Sequence, residues 1–509
     1  MDRKRQASTA APAADESAAD SELELKLQVP SDSLPSLRGA LRAHGAKSQR
    51  LRAHYFDTIN ARLARAHVAL RLRLEGRRWI QTVKTEGQGV AHRMEHNVRV
   101  IGASGRVPEV NASRHASSNA GKVLMASLQA APNAGLVERY ATDVQRLACR
   151  IRDARGTTIE AALDIGQVTA GERSMPIAEL ELEHKGGPTH GLFDLAIAWI
   201  RHGGLWLNVT TKAERGDRLL QADKSPPAVR AQQPQLAPGA DGAAVMRAVL
   251  QSTLAQVIAN AGTIAEGHDD AETIHQLRVG LRRLRTVLRE LTELSPSILP
   301  EWDAVLARVF EQLGLRRDHE TVAAAVRPLL ESAGAPLLLW TPPQQVDPPA
   351  IARGTDFQVT LVSMLALAHG DASQFATVAP AAARELITQR LDVLHRKVQR
   401  DGERFTKLPL DTQHQVRKRL KRLRYLAELT GSWWRGDAVR AYLQQLGSAQ
   451  DALGAHNDVA VAAAAFRTDA QKRPSAWFAA GFLQAHLSVT ARAARKALVK
   501  AMDQKRFWH

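Results

Sequence analysis

Leucines alternate with charges near the start of the chain. In ELELKLQV (22–29), Leu23, Leu25 and Leu27 fall on one face of an extended segment, and Glu22, Glu24 and Lys26 on the other. The same period of two runs through VALRLRLEG, RWIQTVKT, HNVRV, VQRLACRIRD, TIEAALDIGQV and AELELEHK, which predicts strands. Gly and Asn/Asp turns separate them, and helical stretches intervene at 32–44 and 190–202. So many alternating strands predict a closed or nearly closed antiparallel barrel. After residue 242 the period changes to 3.6, in Ala- and Leu-rich text broken by Pro and Gly, which predicts bundled helices. Four prolines and polar filler between Lys224 and Gly242 predict a linker. The expected organisation is a disordered tail over 1–20, a strand-rich domain over 21–220, a linker over 221–242 and an all-α domain over 243–509, an α+β chain as a whole.

The helical text repeats. HQLRVGLRRLRTVLREL begins at His275 and HQVRKRLKRLRYLAELT at His414; LGLRRDHETVAAA begins at Leu313 and LGAHNDVAVAAAA at Leu453. Both pairs share an offset of about 140 residues, which indicates a duplicated unit rather than a solenoid.

Composition narrows the function. The 509 residues hold 69 Lys and Arg against 52 Asp and Glu, a net charge of +17, so a polyanionic partner is expected. Aromatic residues make up only 5%, thin for stacking on single-stranded bases. With no recognition motif either, nucleic acid is disfavoured. The single cysteine excludes an intrachain disulfide, gives no sign of zinc, and fits a reducing cytoplasm. Residues 1–20 lack the apolar segment of a secretory signal, and APLLLW (335–340) is too short to span a bilayer, so no membrane partner is expected.

The polar faces of the strands carry the candidate chemistry. Glu22, Glu24 and Lys26 share a face, as do Arg71 and Arg73, and Glu179, Glu181 and Glu183. Such faces ordinarily look at water. A barrel covered by helices would turn them inward, where unpaired charge is costly and must bind something. Converging carboxylates suit a hard divalent cation, and converging Arg and Lys suit phosphate.

At this point ELELK resembles the ExExK signature of the CYTH family, the triphosphate tunnel metalloenzymes. HYFDT (54–58), LRLR (70–73), TVK (82–84), RMEHNV (93–98), ATDVQR (141–146), ALDIG (162–166), ELELE (179–183) and TKAERG (211–216) follow in that family's order. The resemblance implies an eight-stranded antiparallel tunnel that hydrolyses triphosphates with Mg²⁺ or Mn²⁺. It implies Glu22, Glu24, Asp164, Glu179 and Glu181 as metal ligands, and Lys26, Arg71, Arg73, Lys84, Arg146 and Lys212 as triphosphate ligands. Glu22, Glu24 and Lys26 become the leading catalytic candidates. Arg93, Glu95 and Glu160 rank second, Glu183 is expected beyond the tunnel, and Tyr55 and Asp57 are assigned to packing and a turn.

In the helical half, His275, Arg278, Arg282, Arg285 and Arg289 fall within an arc of about 80° beside a leucine stripe. His414, Arg417, Lys421 and Arg424 repeat the pattern. Rows of cations lacking acidic partners one turn away repel one another, which a linear polyanion would relieve. These helices, with Arg317–Asp318, Asn457–Asp458 and KRFW (505–508), resemble the CHAD domain, the conserved histidine α-helical domain. That implies two pseudo-symmetric four-helix bundles binding inorganic polyphosphate. Lys418 and Arg422 lie off the arc, and Asp318 and Asp458 are expected as helix caps or Arg partners.

The reading is therefore a cytoplasmic inorganic triphosphatase tethered to a polyphosphate-binding module, with storage granules as an alternative place. A non-catalytic polyphosphate binder and an adenylate cyclase of the same tunnel fold are the alternatives. Oligomeric state is not legible.

Overall fold

The computed structural model describes residues 21–86, 91–101, 106–129, 135–221, 225–335 and 346–509. The tail expected over 1–20, most of APLLLW, and the side chains of Arg93, Arg317 and Asp318 lie outside the described residues. An antiparallel sheet of nine strands, among the described residues, is followed by a helical domain. The strands are β1 (Ser21–Gln28), β2 (Lys47–Thr58), β3 (Val68–Glu75), β4 (Arg78–Glu86), β5 (His92–Val100), β6 (Leu136–Arg152), β7 (Thr158–Ala170), β8 (Arg173–Gly186) and β9 (Trp206–Leu207). Their order is β5-β4-β3-β2-β6-β7-β8-β1-β9, and β1 also pairs with β5 through Ser21–Met94, Glu22–Arg93 and Leu23–His92.

The alternation sets the two faces. Leu23, Leu25 and Leu27 are buried, and they belong to one apolar cluster that continues into the helical domain. Helix α1 (Leu34–Ala43) contributes Leu37 and Leu41 to it, and α4 (His190–Gly203) contributes Leu192, Phe193 and Ile200. The polar residues of the same strands turn the other way.

The duplication is visible in helix lengths. In the first copy α6 (Gly242–Ala265), α7 (Ala271–Glu290) and α8 (Pro300–Ser332) have 24, 20 and 33 residues. In the second, α11 (Pro380–Glu403), α12 (Leu410–Thr430) and α13 (Gly436–Asp469) have 24, 21 and 34. The short α9 (Pro348–Arg353), α10 (Thr355–Ala368) and the longer α14 (Ala476–Met502) make up the rest of the helical domain among the described residues. Helix α6 is long and apolar enough to cross a membrane by length and composition alone. Here it packs as a core helix, with Val249, Leu250, Leu254, Val257 and Ile258 fully buried.

The segment expected as a linker is strapped to the helical domain. Asn260 donates to the Val229 carbonyl at 2.8 Å, and the Leu236 N–H donates to Ser432 Oγ at 3.1 Å. The two halves also meet directly. The Leu207 N–H donates to Gln358 Oε1 at 2.9 Å, and the Arg353 guanidinium lies 4.7 Å from the Trp206 ring centroid.

The chain's end is held by aromatic packing. Trp508 packs edge-on against Tyr442 and His395, and the Tyr442 hydroxyl lies 2.8 Å from His395 Nδ1. Burial, then the nearby Arg506, lowers the His395 imidazolium to about 4. Burial, then His96, does the same to His115, also to about 4. Both folded values lie below the ordinary histidine value, so the stability they contribute is present above about pH 6.5 and is lost as pH falls toward 4. The unfolding temperature should therefore drop across that window in a calorimetric pH series; a flat profile there would contradict both assignments.

Candidate active site

Every strand from β1 to β8 contributes to the wall of one polar cavity of about 220 Å³. Among the described residues it is lined by seven carboxylates (Glu22, Glu24, Glu95, Glu160, Asp164, Glu181 and Glu183) and five cations (Arg71, Arg73, Lys84, Arg146 and Lys212). A second cavity of about 100 Å³ adjoins it and shares Glu24, Arg71, Lys84, Glu181 and Lys212. Lys26, Tyr55 and His67 line this second space.

Helix α5 (Lys212–Leu220) brings one cation in from outside the sheet. Thr211 caps it, accepting from the Glu214 N–H at 3.0 Å, while Glu214 accepts from the Thr211 N–H at 2.6 Å. This capping box fixes the first turn. Lys212 Nζ then reaches Asp164 at 2.7 Å, Glu181 at 2.8 Å and also Glu179. Arg146 binds Asp164 in bidentate fashion, at 2.7 Å through each nitrogen, and reaches Glu181 at 2.5 Å. Burial opposes these charges, but the acids outweigh it and hold Lys212 and Arg146 well above their ordinary values. In turn Lys212 and Arg146 overcome burial and hold Asp164 low and Glu181 very low.

The outer part is balanced differently. Burial, then Glu95, pushes the Glu22 carboxyl up to about 7. Glu95 is paired with Lys84, and Lys84 and Arg71 outweigh burial to bring it down to about 2. Burial and then Arg71 pull the Arg73 guanidinium below its ordinary value.

In the helical domain, a cavity of about 430 Å³ lies between α7, α12, α13 and the strap at 231–233. His275 and Arg282 of one copy and Lys421 and Arg424 of the other line it. Buried Arg283 joins them, donating to Gln256 Oε1 at 2.9 Å and to the Gln232 carbonyl at 2.8 Å. Burial holds its guanidinium below its ordinary value.

Sequence profiles of two domain families match the chain: the CYTH domain over residues 20–216 and the CHAD domain over residues 248–467. The chain is a CYTH–CHAD fusion. It is 28% identical over 165 residues to the inorganic triphosphatase of Haemophilus influenzae, which covers 32% of this chain. The chain thus spans 44% of that relative's length. Among solved structures, the CHAD domain from the plant Ricinus communis is 26% identical, with a TM-score of 0.42, covering 55% of this chain and 98% of that one. HpAC1 from Hippeastrum, described as having a dominant triphosphatase activity, is 16% identical with a TM-score of 0.27, covering 40% and 98%.

In the CYTH half the structure brings Glu22, Glu24, Lys26, Arg71, Arg73, Lys84, Arg146, Asp164, Glu181 and Lys212 to the two adjoining cavities. Glu179 is not among the residues lining either one. It sits fully buried behind them, against Lys212 and 3.8 Å from Lys26. Glu183, expected beyond the tunnel, lines the larger cavity and pairs with Lys185. Tyr55, expected only in packing, also accepts a hydrogen bond from Arg71 at 3.3 Å. Asp57 does serve a turn: its carboxylate accepts from the N–H groups of Leu63 and Ala64, at 2.8 and 2.9 Å, at the start of a short helix. Arg215, part of TKAERG but outside the expected ligand set, lies 3.8 Å from Glu179.

In the CHAD half the stripe is less uniform than its spacing suggests. Arg285 and Arg289 both bind Asp303 of α8, at 2.9 and 2.6 Å, so their acidic partner comes from another helix. Arg424 pairs with Glu428 at 2.8 Å. Arg278 is buried, its guanidinium 4.5 Å from the Phe310 ring centroid. His414 lies 2.9 Å from Asn457, and Arg417 is half-buried beside it on α12. Arg422 ties the copies together through Glu290 of α7, at 3.2 Å. Positions 318 and 458 fall inside α8 and α13, so neither aspartate is a helix cap.

Proposed function

We propose that this chain is a metal-dependent inorganic triphosphatase, splitting tripolyphosphate to pyrophosphate and phosphate, joined to a polyphosphate-binding helical module. In this reading β1–β8 form an eight-stranded tunnel whose ends meet at the short β1–β5 ladder, and the helical copies form two paired four-helix bundles. One observation carries it: acids and bases from seven strands and α5 share a single cavity. Carboxylates and cations gathered in one cavity suit a divalent cation and a polyanion together. The name of the Haemophilus influenzae relative supports the same reaction class.

The donor set fits a hard divalent cation, Mg²⁺ or Mn²⁺. Oxygens of Asp164, Glu179 and Glu181 lie within 4.8 Å of one another, and Glu179 Oε2 is buried with no hydrogen-bond partner. Glu22 and Glu24 supply further carboxylates on the same wall. Bound there, the cation would neutralise phosphate oxygens and polarise a water. The chain's own residues do the rest. Arg71, Arg73 and Lys84 bind the phosphate chain and set its direction. Arg146, locked by two acids, keeps Asp164 and Glu181 ionised. Lys26 and Lys212, both largely buried, place ammonium groups where charge develops on the leaving oxygen.

Phosphate release from tripolyphosphate with Mg²⁺ or Mn²⁺, abolished by chelation, is the expected result. Cyclic AMP formed from ATP would favour the cyclase instead. No release from several triphosphates would leave the polyphosphate binder, which the basic cavity of the helical domain favours. That cavity is tested separately. Arg282→Glu with Lys421→Glu should weaken polyphosphate binding more than about tenfold and flatten its salt dependence. Tripolyphosphate turnover should stay within about threefold, since neither residue lines the tunnel.

A further inference from the structure

Helix α5 is held from two sides. Toward the sheet, Gly216 lies so close to Tyr140 that a Cβ there would approach the ring to 2.2 Å. Away from the sheet, α5 meets the helical domain at one carboxylate, Glu266, the residue that ends α6. Three donors from the N-terminal unit converge on it: Asn208 Nδ2 at 2.6 Å, Arg215 at 3.2 Å and Arg218 at 3.0 Å. The Glu266 side chain is only 12% exposed, so these contacts are poorly screened.

Arg215 does more than bridge the halves. It is 6% exposed, and the nitrogen that meets Glu266 also donates to Gln28 Oε1 at 2.8 Å and lies 3.8 Å from Glu179 Oε2. Glu179 in turn binds Lys212, three residues before Arg215 on the same face of α5. Arg218 meets the same carboxylate, but its other contact is Thr210 Oγ1, at 3.3 Å. One guanidinium therefore leads from Glu266 to the tunnel and the other does not.

We propose that Glu266 is a positioning residue for the triphosphate site, a role that rests on the function proposed above. Its charge draws Arg215 away from Glu179, which leaves that carboxylate to Lys212 and Lys26. Without it, buried Arg215 has Glu179 as its nearest acid and closes on the unpartnered Oε2, turning the carboxylate that Lys212 holds through Oε1. Lys212 then leaves the place from which it meets phosphate. The helical domain thus sets the tunnel's innermost cation.

The test compares Glu266→Gln, Glu266→Asp and Arg218→Met in the full chain, well below their unfolding temperatures. Tripolyphosphate affinity is read by calorimetry without divalent cation, and turnover is read separately with it. Glu266→Gln should weaken tripolyphosphate binding about tenfold and lower kcat by about 10- to 100-fold, the range for groups that orient a ligand set. Glu266→Asp should recover most of both. Arg218→Met, which opens the same interface, should leave both within about threefold. Wild-type values in Glu266→Gln, or equal losses in Arg218→Met, would overturn the proposal, the second by showing that interface integrity alone is at stake. Absence of tripolyphosphate binding in the wild type would instead remove the site's proposed function, and this role with it.

Discussion

Replacing Lys212 with Met is expected to do two things at once: end tripolyphosphate turnover and make the protein's stability depend on divalent cation. Its ammonium lies on Asp164, Glu179 and Glu181, and all three acids are buried or nearly so. Removing one partner from a buried charge group costs roughly 3–5 kcal/mol, because the acids keep their desolvation cost and lose their cation. Arg146 and Lys26 remain nearby and soften the loss. A divalent cation can take the vacated place, since the same three side chains offer oxygens within 4.8 Å of one another. A ligand at a hundred times its Kd restores about 2.7 kcal/mol. So the unfolding temperature of Lys212→Met should rise by several degrees with millimolar Mn²⁺, while the wild type, whose ammonium contests those oxygens, should shift less. With Mg²⁺ or Mn²⁺ present, turnover should fall by about 10²- to 10³-fold, as when a fixed charge-stabilising group is removed. Equal Mn²⁺ shifts in both proteins would show that the ammonium and the cation do not compete.

Much of this site was legible because strands have period two. Glu22, Glu24 and Lys26 had to share a face, and so did Arg71 with Arg73; the leucine face then said which side was covered. Strand β2 was harder to see. Its first four residues, Lys47–Arg50, are all exposed, so the alternation starts only at Leu51. Strand β9, two residues long, has no period at all. What the spacing could not show was who meets whom across the molecule. Asp303 lies far along the chain from any i+4 position, yet it answers both Arg285 and Arg289. Arg283 falls off the basic arc and is buried because the strap carbonyl of Gln232 covers it. Tyr55 looked like packing because its hydroxyl partner, Arg71, sits on the neighbouring strand. Helical period likewise placed the apolar stripes of α7 and α12: Leu277, Leu281, Leu284, Val416, Leu420 and Leu423 are all fully buried.

Glu24→Gln makes the sharpest contrast with Lys212→Met. Among the described residues, seven carboxylates face five cations in the larger cavity, so acids are in excess there. Burial, and after it the neighbouring Glu95, pushes Glu22 up to about 7. Neutralising one acid in such a set relieves repulsion instead of orphaning a partner. Glu24→Gln should therefore keep, or slightly raise, the wild-type unfolding temperature in metal-free buffer. Its turnover should nevertheless fall by about 10²-fold or more, because the lost charge is one the cation requires. A site that trades stability for function gives this pairing, with stability up and activity down. Loss of stability together with activity would mean that Glu24 is paired structurally, and the inner wall would then owe its acids to folding.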